Sequence, residues 1–148
     1  MTTMETLLDR IQIEDMLYEY YALLGRNGDN YNDFFTEDSV LDVNGRTFKG
    51  RENIHKAYAT SEGAMPLNGK FHMLLSNPRI KINGNTATAD MIWTGILADN
   101  VRTQPRVVEN GREHDELVKQ GGKWLFKLRV ITADSGLPPI YDETYIKR

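Results

Sequence analysis

The sequence predicts an α+β fold in which a curved antiparallel sheet packs on N-terminal helices. Three observations predict it. Apolar residues recur at helical spacing in the first sixty positions, long strand-like runs fill the second half, and two glycine-containing turns, Asn44-Gly45 and Gly121-Gly122, join neighbouring runs as hairpins. Helices come first and strands dominate later, which favours this arrangement over an alternating β-α-β architecture.

Each element follows from local pattern. Residues 6–24 carry Leu7, Leu8, Ile11, Met16, Leu17, Tyr20, Leu23 and Leu24 mostly three or four apart, and Thr6 with Asp9 three residues on reads as the capped start of a helix. Gly25, Asn27, Gly28 and Asn30 stop it, and residues 31–35 form a short helical turn. Residues 39–43 and 46–49 make a ribbon around Asn44-Gly45, and Gly50 ends it. Residues 51–59 are helical, with Ile54, Ala57 and Tyr58 on one side; residues 61–69 read as a mobile loop. Strands follow over 70–82, 86–98, 106–119 and 123–133, separated by Asn83-Gly84-Asn85, a polar stretch over 99–105, and Gly121-Gly122. The tail, Gly136-Leu137-Pro138-Pro139-Ile140-Tyr141, reads as an extended end that could cross a subunit boundary, because its prolines oppose a helix.

Composition bounds the function. At 148 residues and 17.0 kDa the chain fits a single domain, 1–148, without a separate cofactor domain. A net charge of −3 and a pI near 5.6 argue against nucleic-acid or anionic-membrane surfaces. The absence of cysteine excludes disulfides, thiolate catalysis and Cys-built metal sites. No leader or membrane-length apolar run is present, so the expected location is the cytoplasm.

Few side chains are left to carry chemistry. His55 neighbours Lys56 in a helical segment and reads as a solvated surface histidine. His72 sits in the apolar run Phe71-His72-Met73-Leu74-Leu75, where a buried imidazole needs a partner, either as a satisfied core residue or as a functional one. Arg112-Glu113-His114-Asp115-Glu116 places Glu113 and Asp115 on one strand face and Arg112, His114 and Glu116 on the other. Either this cluster is a solvated edge or one face lines a cavity. The last strand poses the same question: alternation alone puts Trp124, Phe126, Leu128 and Val130 in the core and Arg129 in solvent. A sheet buried on both faces would make Arg129 a cavity cation among Leu125, Lys127, Ile131 and Ala133. Tyr18, Tyr20 and Tyr21 crowd the first helix, and a pocket beneath it would receive one or two phenols. Metal-binding and phosphate-binding spacings are missing, so neither metal nor cofactor is expected.

Several motifs in order resemble the SnoaL-like branch of the NTF2-like superfamily, which includes scytalone dehydratase, hexachlorocyclohexane dehydrochlorinase, bile-acid dehydratase and ketosteroid isomerase. They are the helix through Tyr20 and Tyr21, Phe34-Phe35-Thr36-Glu37-Asp38-Ser39-Val40, Phe48-Lys49-Gly50-Arg51-Glu52-Asn53-Ile54, His72 through Ser76-Asn77-Pro78-Arg79-Ile80, Gly84-Asn85-Thr86-Ala87-Thr88-Ala89, and Gly121-Gly122-Lys123-Trp124. The resemblance implies a cone-shaped, cystatin-like barrel whose sheet wraps an apolar pocket closed by the first helix.

It also implies roles. His72 matches the histidine that serves such relatives as base or proton shuttle, Arg129 resembles a cavity arginine with Lys127 as a possible substitute, and Tyr20 sits where a helix polar group is placed. Glu113 would point inward with Ile92, Thr94 and Ile96, and Tyr21, Leu24 and Ile131 would complete the substrate-binding set. The relatives' aspartate at the end of the first helix is replaced here by Gly25, or by Arg26 under a second alignment; Asn27 or Asp29 would then take its place through a shift in the turn, or Glu113 would supply the carboxylate from across the pocket. The expected function is a cofactor-independent lyase, a dehydratase or related elimination or deformylation enzyme, acting on a small aromatic or polycyclic molecule. The alternatives are a ketosteroid-type isomerase and a non-catalytic binding or assembly module such as a ring-hydroxylating dioxygenase small subunit. A homodimer or homotrimer is expected, as is common among such relatives.

Overall fold

The structure, a computed structural model, describes residues 3–23, 31–59 and 70–145. Helix α1 (Met4–Leu23) starts before Thr6. Thr3 caps it: the Thr6 backbone N–H donates to Thr3 Oγ1 at 3.2 Å while the Thr3 N–H donates to Thr6 Oγ1 at 2.7 Å. This reciprocal pair satisfies two N–H groups and puts Thr6 in the first turn, not at the start. Ile13, Leu17, Tyr20 and Tyr21 form the buried stripe, whereas Leu7, Leu8 and Ile11 remain exposed, so the second half of α1 carries the packing.

A 3-10 turn (Tyr31–Phe34) leads to strands β1 (Phe35–Val43) and β2 (Arg46–Lys49), helix α2 (Arg51–Ala59), and strands β3 (Lys70–Asn83), β4 (Thr86–Ala98), β5 (Arg106–Gln120) and β6 (Lys123–Ser135). The strand order β2-β1-β6-β5-β4-β3 makes one curved, unclosed sheet with β2 and β3 at its edges. Pairing is antiparallel except between β1 and β6. That parallel pair needs a long crossover, which α2 and the β3–β5 meander provide.

The β1–β2 turn is fastened to the sheet. Asn44 (φ 49°) and Gly45 (φ 88°) take left-handed backbone, as a two-residue hairpin turn requires. The buried Asn44 amide accepts from Ala133 N–H at 2.9 Å and donates to Ala133 C=O at 3.3 Å. The tail corrects the extended reading: Pro139–Tyr141 is a 3-10 turn and Asp142–Tyr145 a short helix, α3. Pro139 occupies the first turn, where its missing N–H breaks no bond, and Tyr141 is buried.

Strand β6 changes face midway. Leu117 pairs with Phe126 and Glu116 with Leu128, leaving Lys127 as the extra residue of a bulge. Trp124 and Phe126 are buried before it, and Arg129 and Ala133 after it. Strict alternation would have buried Leu128 and Val130 and exposed Arg129; one inserted residue reverses that parity.

Candidate active site

The face of the sheet turned toward α1 carries a buried polar cluster. Cross-strand register aligns Met91 with Glu113 and Glu113 with Ile131, then Ala89 with Asp115 and Asp115 with Arg129. Alternation along β5 and the bulge in β6 thus bring two acids and a guanidinium to one face. Glu113 is 3% exposed, Asp115 0% and Arg129 1%.

Arg129 organises the cluster. Its Nη2 donates to Glu113 Oε1 and, at 3.0 Å, to the Tyr21 hydroxyl oxygen; its Nε donates to Asp115 Oδ1 at 3.2 Å. The Tyr21 hydroxyl donates to Glu113 Oε2. Aromatic faces complete the shell: the Arg129 Cζ lies 4.1 Å from the Tyr20 ring centroid and 4.4 Å from that of Phe126. Tyr20 stands edge-on to Tyr21, Phe34 and Phe126. Helix α1 thus supplies both phenyl rings of the lid, because positions 17, 20 and 21 share the sheet-facing side with Ile13.

The electrostatics distinguish the members. Burial first, and then the charge of Glu113, pushes the Asp115 carboxyl well above its usual range. The same two causes raise the Tyr21 phenol. Burial alone would lower the Arg129 guanidinium, but the negative charge of Glu113, followed by Tyr20, Tyr21 and Asp115, more than offsets it and holds the cation. Two carboxyls around one cation in a dry site cannot both ionise easily, so Asp115 keeps the proton. Asp115 Oδ2 and Arg129 Nη1 have no hydrogen-bond partner among the described residues, and neither does the buried Trp93 Nε1 on the same face. Each such orphan costs about 1–3 kcal/mol unless a ligand or solvent meets it.

Several expected site residues lie elsewhere. His72 is exposed and pairs with Ile96 on the opposite face, together with Ile92, which is 43% exposed, and Thr94. The physical reason is parity: Glu113 faces Met91, so odd-numbered residues of β4 share its side and even-numbered ones cannot. Lys127 is exposed at the bulge. Ile131 lies beside Glu113 and packs on the core. Leu24, Gly25, Arg26, Asn27 and Asp29 lie outside the described residues. His114 pairs with Asp90 at 2.7 Å on the outer face, and His55, expected in solvent, is half-buried. Asp115 is the member missed, although its alternation with Glu113 was a usable signal. An open groove of about 540 Å³ between α1 and the β5–β6 turn includes Asp15, Glu19, Asp33 and Lys123 but none of the cluster.

No group of three or more metal-ligating side chains occurs among the described residues, and no described helix is long and apolar enough to cross a membrane. No curated protein matches the chain in sequence. Among solved structures, a cystatin-like protein of unknown function from Nostoc punctiforme shares 24% identity at a TM-score of 0.73, covering 88% of this chain and 95% of that one. A protein provisionally named scytalone dehydratase from Novosphingobium aromaticivorans shares 21% at 0.71, covering 86% and 85%. The beta subunit of a provisionally named aromatic-ring-hydroxylating dioxygenase from the same organism shares 14% at 0.71, covering 88% and 92%. These likenesses show the fold. The sequence profile of the SnoaL-like domain matches residues 5–130, and the chain belongs to that family.

Proposed function

We propose that the protein is a cofactor-free lyase that eliminates water from a small, largely apolar β-hydroxy carbonyl compound. One observation carries this reading: Glu113, accepting hydrogen bonds from Tyr21 and Arg129, shares an enclosed cluster with Asp115, a carboxyl that holds its proton. A hydrogen-bonded carboxyl placed to act as a base and a carboxyl whose burial favours its protonated form thereby stand together.

In the elimination, Glu113 takes the proton from the carbon beside the carbonyl, and the C–H electron pair forms the enolate. Tyr21 and Arg129 stabilise the charge that develops on the enolate oxygen. As the double bond forms, the C–O bond breaks and Asp115 delivers its proton to the leaving hydroxyl, which departs as water. Glu113, two residues from Asp115 on the same face of β5, returns the proton and restores both groups. The base role passes from His72 to Glu113, since His72 faces away from the cluster.

The test is turnover of one- to three-ring aromatic β-hydroxy ketones followed by mass spectrometry. Loss of one water supports elimination, whereas an unchanged mass with a shifted double bond supports the ketosteroid-type isomerase. Glu113→Gln should lower the rate about 10²- to 10⁴-fold with the fold retained. Wild-type rates in that variant would overturn the assignment.

A second reading, a non-catalytic subunit of the ring-hydroxylating dioxygenase kind, is favoured by the outward placement of His72. Copurification with a larger iron-containing subunit, without turnover of any ketone, would support it.

A further inference from the structure

We propose that Glu109 and Trp93 form a second polar subsite, which takes a hydroxyl or carbonyl oxygen at the far end of a ligand whose near end meets Tyr21, Arg129 and Glu113. The inference rests on reading the inner face as a ligand chamber. Gly95, Trp93 and Met91 of β4 stand opposite Glu109, Gly111 and Glu113 of β5, without a register shift between these pairs. Alternation puts all six on one face.

Two glycines make room for the polar side chains. A Cβ on Gly95 would come within 2.5 Å of Glu109 Cγ, 3.0 Å of Glu109 Oε1 and 2.8 Å of Phe71 Cε2. The Glu109 carboxyl therefore lies along bare backbone beside Phe71. A Cβ on Gly111 would stand 2.3 Å from the Thr132 carbonyl oxygen and 2.8 Å from Ala133 Cα of β6 as well as 2.7 Å from Trp93 Cζ2, so bare backbone here admits both the close approach of β6 and the edge of the indole next to Nε1. A side chain at Gly95 would displace the Glu109 carboxyl, and one at Gly111 would push against both β6 and the indole.

Among the described residues, both polar groups lack protein partners. Trp93 is 4% exposed, yet its indole N–H has no acceptor among the described residues. Glu109 has no ion-pair or hydrogen-bond partner there, and burial pushes its carboxyl up to about 7. At neutral pH it can both donate and accept, which suits a hydroxyl or a carbonyl oxygen. An indole donor beside such a carboxyl, both unpartnered, is a recognition pair for oxygen.

The spacing indicates the ligand's size. Glu109 and Glu113 are four strand residues apart, about 13 Å at roughly 3.4 Å per residue. Only the Trp93–Gly111 level lies between them, and Met73 and Met91 flank the two ends, so the middle of the ligand meets the indole ring and is apolar. Two fused rings with an oxygen at each end, each making a hydrogen bond of about 2.8 Å, bridge that gap.

Calorimetric titration with 2,6-dihydroxynaphthalene and 2-naphthol tests the subsite. The protein should bind the diol about five- to tenfold more tightly, the worth of one extra hydrogen bond. Trp93→Phe, which removes the N–H and keeps a ring, and Glu109→Leu should each bring that ratio close to one. The ratio is insensitive to the folded fraction, so a partly unfolded variant still reports. An equal affinity for both probes in the wild-type protein, or a ratio unchanged in both variants, overturns the subsite and leaves the chamber. Binding of neither probe overturns the chamber reading as well.

Discussion

The two faces of one sheet hold similar pairs of ionisable side chains in opposite surroundings. On the inner face, Arg129 and Asp115 meet at 3.2 Å with side chains 1% and 0% exposed; on the outer face, His114 and Asp90 meet at 2.7 Å with side chains 44% and 45% exposed. The shorter contact is the weaker one in energetic terms, because water screens it and solvates either partner when the other is removed. Inside, each charge depends on its neighbours, and the cluster relieves its excess negative charge through the proton on Asp115. Burial, more than distance, decides how strongly a pair of ionisable groups depends on its neighbours.

The largest break in this contrast would come from deleting Lys127. Without the bulge, Arg129 and the residues after it return to strict alternation, which sends the guanidinium outward and leaves Glu113 and Asp115 uncompensated. Loss of the cooperative unfolding transition is expected, whereas Lys127→Ala, which keeps the bulge, should stay within about 0.5 kcal/mol of wild type. A folded deletion variant of normal stability would show that the parity argument is wrong.

Next in size is Arg129→Leu, which strands the acids and should cost about 3–5 kcal/mol in urea unfolding at neutral pH. The cost should shrink at low pH, where the carboxyls take protons. An unchanged midpoint would mean that the cluster is less dry than its geometry indicates.

Glu109 sharpens the comparison with a pH dependence. Burial pushes its folded-state carboxyl up to about 7 from its ordinary 4.5, so the folded protein holds the proton more tightly than the unfolded chain. The associated stability is complete below pH about 4.5 and is lost as pH rises through about 7. After allowance for partial exposure, the wild-type protein should lose about 2 kcal/mol relative to Glu109→Gln between those limits. Urea midpoints of both proteins, compared across the range, check the slope; parallel curves would contradict the burial of this acid.

The smallest effect belongs to the outer pair. His114→Ala should change stability by less than about 1 kcal/mol, and the change should fade in high salt. A larger, salt-insensitive loss would mean that this face is covered in solution.

Much of the fold was legible because local rules decided it. The spacing of Leu17 and Tyr20 within the first apolar series encodes a helix with one apolar side, Asn44-Gly45 suits a tight hairpin, and Thr86 to Ala98 suits a pleated strand. The site was legible only in part. Alternation linked Glu113 with Asp115, but Ile92, Thr94 and Ile96 were assigned to their side although β4 presents Met91 and Trp93 there. His72 suffered from the same ambiguity, since an apolar run on an edge strand contains residues of both faces.

By itself, the sequence determined most of the helices, turns and strands before the tail, and which side chains alternate within each strand, because those preferences act over a few bonds. Tertiary structure alone decided which side of each strand faces α1, through cross-strand register and one extra residue at Lys127. Those are properties of pairing between distant segments. The burial that makes Asp115 an acid and Arg129 a fixed cation follows from them, since a side chain's charge state depends on how much water the packed neighbours leave around it.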